Sequence, residues 1–117
     1  MNTINQTLKQ EISQLEANLC SAFADPTRIL ILYTLNDCPR NVTELTNELG
    51  TAQSTTSRHL KILRERGLVN TTRQGTTITY ELADSRLIKA LDILRDVLRD
   101  NINGKANLVA EYKDKLT

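Results

Sequence analysis

Apolar residues recur at helical intervals from the first residues onward. Ile4, Leu8, Ile12, Leu15 and Leu19 are spaced four, four, three and four apart, with Gln, Asn, Lys and Glu between them. That spacing predicts an amphipathic helix over residues 4–19. Asp25-Pro26-Thr27-Arg28 then reads as a helix start. Asp25 can cap, and proline fits the first helical position because its missing N–H has no partner there anyway. The run Ile29-Leu30-Ile31-Leu32-Tyr33-Thr34-Leu35 is apolar almost all round, which predicts the central core helix. Asn36-Asp37-Cys38-Pro39-Arg40 breaks it.

Thr43 is the predicted cap of a third helix, with Glu44 in its first turn, Leu45 and Leu49 facing inward and Gly50 as its stop. Only Thr51 and Ala52 intervene before the next periodic stretch, Gln53 to Arg66. In that stretch Thr56, Leu60 and Leu63 make a buried stripe at i, i+4 and i+7. Ser54, Ser57, Arg58 and Lys61 fall on another face, short, polar and cationic. Two helices joined so tightly, the second polar on its outer side, predict a helix-turn-helix over residues 43–66. A helix from Gln53 to Arg66 is about 21 Å long at about 1.5 Å per residue and fits a DNA major groove about 12 Å wide.

Beyond Gly67 the pattern changes to alternation. Leu68 to Arg73 and Thr76 to Leu82 are rich in β-branched residues, and Ile78, Tyr80 and Leu82 alternate with Thr77, Thr79 and Glu81. Gln74-Gly75 between them is a hairpin signal. The predicted wing spans residues 68–82, with Arg73 near its tip for phosphate or minor-groove contact. Asp84-Ser85 can cap a last helix over residues 85–102, whose stripe is Leu87, Ile88, Leu91, Leu94, Val97 and Leu98. Asn101 to Gly104 is the predicted end, and Leu108, Val109, Tyr112 and Leu116 suggest a short further helix in the tail. The expected fold is mainly α with a two-stranded β-wing, a single winged helix-turn-helix domain over residues 1–117 in the order α-α-α-α-β-β-α. Helices 4–19 and 85–102 carry more apolar surface than so small a domain can cover, so they are the expected homodimer face.

Composition sharpens this picture in one respect. The 117 residues carry a net charge of only +1, yet residues 58–73 hold five cations, Arg58, Lys61, Arg64, Arg66 and Arg73, against one carboxylate, Glu65. Positive charge gathered in one segment is what phosphate binding needs. The alternative for the same fold is a winged-helix module used for protein contacts without specific DNA binding, which would not require this charged face. No Gly-rich phosphate loop, metal-ligand spacing or nucleophile with a base is present, so the chain is not expected to be an enzyme or to need a cofactor. No apolar run approaches the ~18 residues of a membrane span, and no signal-peptide pattern precedes the first helix. The cytoplasm is the expected compartment.

Three segments together resemble the ArsR/SmtB family of small winged-helix repressors: Phe23 to Leu32, Gln53 to Leu63, and Gly67-Leu68-Val69 with the wing that follows. The resemblance implies a homodimer that binds an imperfect inverted repeat in promoter double-stranded DNA and is released by an inducer. It implies DNA contact at Gln53, Ser54, Ser57 and Arg58. The position and charge of Thr55, His59, Lys61, Arg64 and Arg73 add these to the expected set, with packing as the other reading of His59. Ala52 stands where the family often has a capping Ser or Thr, and Thr56 where it usually has Val. The family's Cys-Val-Cys metal site matches Asn41-Val42-Thr43 here, and its last-helix site matches Asp84, Arg86, Val97 and Asp100. Neither set keeps the thiolates or imidazoles a metal would want, so no metal is expected. Cys20 and Cys38 remain as candidate thiol sensors, against the reading that Cys20 is a small buried hydrophobe and Cys38 incidental.

Overall fold

The computed structural model describes the backbone of residues 5–116 and the side chains of residues 5–104. Ile4 and the side chains of Leu108, Val109, Tyr112 and Leu116 fall outside the described residues. The chain divides into two compact units, Met1–Asp84 and Ser85–Thr117.

The first unit opens with α1, Gln6–Gln14, whose cap Asn5 accepts from the Leu8 N–H at 2.8 Å. The helix does not continue uniformly to residue 19. Leu15–Cys20 widens into a π-helical turn, closed by Ser21 N–H to Glu16 O at 3.0 Å, and Ala22–Ala24 tightens into a 3-10 turn. Helix α2, Pro26–Asp37, starts as expected: Asp25 accepts from the Thr27 N–H at 2.8 Å and Pro26 opens the first turn. It buries Ile31, Leu32 and Leu35 but leaves Leu30 exposed, so it is a core helix on one side only, not all round.

Helix α3, Val42–Leu49, is capped by Asn41, not Thr43. Asn41 Oδ1 accepts from the Glu44 N–H at 2.8 Å while Glu44 Oε1 accepts from the Asn41 N–H at 3.0 Å. This reciprocal pair satisfies two N–H groups at once, which a threonine two residues later could not do with Glu44. Gly50 takes φ +66°, a left-handed conformation that lets the chain turn at once toward α4, Gln53–Glu65. Leu45 from α3, Leu60 and Leu63 from α4 and Leu32 from α2 are all fully buried, which is the core of the unit.

The wing proves larger than two strands. A short strand β1, Arg40–Asn41, joins β2, Val69–Gln74, and β3, Thr77–Leu82, in an antiparallel sheet of order β1-β3-β2. Arg40 pairs with Tyr80 and Asn41 with Thr79, while Gln74 pairs with Thr77 across the tip. The turn is therefore Gly75-Thr76, one residue later than the Gln74-Gly75 signal. Gly75 has φ +63° and, among the described residues, no non-glycine has a positive φ. Glycine alone in the first turn position matches a type II′ hairpin.

The second unit is one helix, α5, Arg86–Leu116. The Ser85 carbonyl accepts from Ile88 N–H at 3.2 Å and Lys89 N–H at 3.4 Å, so the helix begins where expected. It does not stop at residues 101–104. Gly104 lies inside it. One interior glycine costs only about 1 kcal/mol relative to alanine, which by itself is too little to end a long helix.

Candidate nucleic-acid interface

The outer side of α4 is built by the inner one. Thr56, His59, Leu60 and Leu63 are buried. That orientation leaves Gln53, Ser54, Ser57, Arg58, Lys61 and Arg64 exposed and Thr55 half-buried. Gln53, Ser54, Ser57, Arg58 and Lys61 thus form one continuous polar and cationic strip. Thr56 is tolerated in the buried stripe because its hydroxyl has partners: Thr51 Oγ1 at 2.8 Å and, more weakly, Ala52 O at 3.4 Å. Ala52 stands at the cap position in extended conformation and makes no side-chain bond.

One of the expected contact residues and one further cation of the segment are engaged elsewhere. His59 is only 3% exposed. Its Nδ1 lies 3.2 Å from Arg28 Nη1, and its Nε2 lies 3.9 Å from Asp25 Oδ2. A ring enclosed in this way cannot reach phosphate, so His59 leaves the contact set. Arg66, counted among the cations of the segment, donates to the Ala17 carbonyl at the π-helical turn. On the wing, Arg73 is exposed and its Nε donates to Gly75 O at 3.1 Å, which folds the side chain along the hairpin tip.

The electrostatics around His59 follow from its position. Burial pushes the imidazole below its usual range, the Asp25 carboxylate opposes this, and the Arg58 and Arg28 guanidiniums reinforce it. Asp25 itself is held below the usual carboxylate range, chiefly by the hydrogen bond from the Thr27 backbone, with His59 and Arg28 assisting against burial.

Cys20 and Cys38 are both free and exposed. Cys20 is thus not a buried hydrophobe. It ends the π-helical turn before α2, and Cys38 caps the far end of that helix. At the matched metal positions, Asn41 Oδ1 is occupied as a helix cap. Among the described residues, no cluster of three or more His, Cys, Asp or Glu is placed to hold a metal ion, and no helix is long and apolar enough to cross a membrane.

One feature had no signal in the local pattern. Arg40 is buried although it sits in a polar loop-like stretch beside Pro39. Its Nε donates to Glu48 Oε1 at 2.9 Å, its Nη1 to Cys38 O at 2.7 Å and its Nη2 to Asp37 Oδ2 at 3.2 Å.

A tight helix-turn-helix, a hairpin wing beside it and a polar cationic outer face on the second helix define a winged helix-turn-helix DNA-binding regulator. The family model of bacterial regulatory proteins of the arsR family matches residues 25–71. The chain belongs to that family. It is 37% identical over 96 residues to the nodulation protein NolR of Rhizobium meliloti, covering 82% of this chain and 79% of that one. It is 40% identical over 78 residues to the transcriptional repressor SmtB of Mycobacterium tuberculosis, covering 67% of this chain and 58% of that one. The crystal structure of NolR from Sinorhizobium fredii superposes with a TM-score of 0.70 at 35% identity, covering 83% of this chain and 96% of that one.

Proposed function

We propose that this protein is a homodimeric, cytoplasmic repressor that binds an imperfect inverted repeat in promoter DNA. The observation that carries the reading is the strip on α4: Gln53, Ser54, Ser57, Arg58 and Lys61 all face outward from a helix whose other side is locked into the core. Short hydroxyl and amide side chains can approach base edges, and Arg58 and Lys61 can reach base edges or phosphates. Arg64 at the end of α4 and Arg73 on the wing extend the positive charge to the flanking backbone. Half-sites about one helical turn apart require two such helices, hence two copies. The uncovered apolar stripes support this: Leu8 and Ile12 on α1, Leu15 at the start of the π-helical turn, and Ile93, Leu94, Val97, Leu98 and Ile102 on α5, are exposed. Relief by an inducer is carried over from the family relationship alone, and Cys20 and Cys38 are the accessible thiols through which a reactive inducer would act.

The test is selection of genomic duplex fragments by the purified protein, followed by affinity measurement across a salt series. Binding through phosphates falls steeply with salt, with a log–log slope of about −0.9 per neutralised phosphate. Arg58→Ala should weaken binding by about 1–3 kcal/mol, or roughly 5- to 150-fold, if Arg58 reads a base pair. Loss of a partner protein with DNA affinity unchanged would favour the protein-contact alternative.

A further inference from the structure

His59 is the only histidine in the chain, and it sits in the middle of the recognition helix facing inward. A guanidinium is a donor at every working pH and never an acceptor. Since Arg28 Nη1 lies 3.2 Å from His59 Nδ1, the bare nitrogen must be Nδ1 and the ring proton must sit on Nε2. That proton is on the side of Asp25 Oδ2, 3.9 Å away, beyond direct hydrogen-bond reach. The same guanidinium donates from Nε to Ala22 O at 2.7 Å and from Nη2 to Ser21 O at 3.3 Å. One side chain of α2 therefore joins the recognition helix to the junction between α1 and α2. Arg66 makes a second tie from the other end of α4 to Ala17.

We propose that the Arg28–His59 bridge is a positioning device for the recognition helix, and that protonation of His59 opens it and weakens DNA binding. The proposal rests on the DNA-binding reading above. His59 is a positioning residue and touches no base. A second ring proton can enter only at Nδ1, where it points at the Arg28 N–H. Donor then faces donor, and two cations face each other in a buried place. Either the ring turns or Arg28 swings away and releases the Ser21 and Ala22 carbonyls. Charged groups act on the ring from three places: Arg28 on α2, Asp25 at its cap, and Arg58 on α4 itself. Helix α3 and strand β2 also pack on α4, and among the described residues neither brings a charged group to bear on the ring. Only Asp25 favours the proton, and burial and both arginines outweigh it.

The sign of the effect is diagnostic. Acid ordinarily strengthens DNA binding, because protonated carboxylates leave a protein more positive. Here affinity should fall instead. The experiment uses the full chain, a duplex obtained by selection from a random-sequence pool at pH 7.5, and anisotropy titrations from pH 7.5 to 5 at constant salt. Circular dichroism checks the fold at each pH. The wild type should lose affinity as acid drives the ring through its pKa, at a limiting rate of about tenfold per pH unit for one proton. In His59→Asn an amide oxygen replaces Nδ1 as acceptor and does not titrate. That variant should bind nearly as well at pH 7.5 and lose nothing with acid. His59→Leu should bind more weakly throughout. A nitrogen-15 spectrum of the unmodified protein at pH 7.5 needs no variant, and with a single histidine its assignment is unambiguous. It should show the proton on Nε2. A proton on Nδ1 overturns the bridge alone. So does a wild-type pH profile identical to that of His59→Asn at acidities where the nitrogen-15 spectrum shows the ring protonated. The titration is carried on into acid until it does, or until circular dichroism shows the fold lost; a ring that stays neutral up to that loss overturns the proposed switch. No binding by the wild type at pH 7.5 overturns the DNA-binding reading, and this proposal with it.

Discussion

Arg40 holds three segments at one point. It reaches Glu48 on α3, Asp37 and the Cys38 carbonyl at the end of α2, and its backbone pairs with Tyr80 on β3. The bond to Glu48, then the one to Asp37, raises its pKa further above an already high value, against the effect of burial. No lysine can satisfy this fork of acceptors from one nitrogen. Arg40→Ala should therefore lower the melting temperature, and Arg40→Lys should recover only part of the loss, measured by thermal melts of the two variants. Neither Arg40 nor His59 betrays its role locally. Arg40 lies among turn residues, and His59 lies between a basic and an apolar neighbour. His59 is fixed by Arg28, far along the chain. Arg40 is fixed by acceptors close in sequence, Asp37, Cys38 and Glu48, that come together only when the end of α2 and the last turn of α3 fold around it.

Helices were legible in the sequence because their rules are local. Asp25-Pro26 starts α2, Gly50 ends α3, and Thr56, Leu60 and Leu63 point α4 inward, all through residues within a few positions of one another. Thr43 was the wrong cap for α3 because two polar residues compete there, and the one with Glu three places on wins. Ala52 is the weak point of α4. It has φ −75° and ψ 146°, the right backbone for a cap, and no oxygen to offer. Ala52→Ser should stabilise the protein by about 1 kcal/mol, read as a shift of the urea midpoint at constant slope. Strand β1 was invisible because two residues make no period, and its pairing depends on β3, forty positions away in the register Arg40 to Tyr80.

The molecule as a whole leaves too much apolar surface on its helices for a chain that acts alone. Leu94 is 60% exposed and Leu98 58% exposed, on a helix of 31 residues. Single exposed leucines are ordinary, but a stripe repeated over several turns marks a surface that meets a partner. Under the homodimer reading, a charge placed in that stripe cannot be solvated once the second copy docks. Leu94→Glu should shift the protein to monomer in sedimentation or light scattering. It should also weaken binding to a two-half-site duplex far more than to a single half-site, since the recognition helix is unchanged.

Local pattern determined that α2, α3, α4, the hairpin and the start of α5 lie where they do to within a residue or two, and which side of α4 carries Ser54, Ser57, Arg58 and Lys61; it misjudged where α1 and α5 end. Such features depend on neighbours three or four residues apart, or two in a strand, and any reader of the chain has those neighbours in view. Tertiary structure decided the rest. It turned His59 away from the groove side, buried Arg40 and added a third strand to the wing. Each outcome depends on which separate elements meet around the residue. That meeting is set by packing of the whole core rather than by any window of sequence.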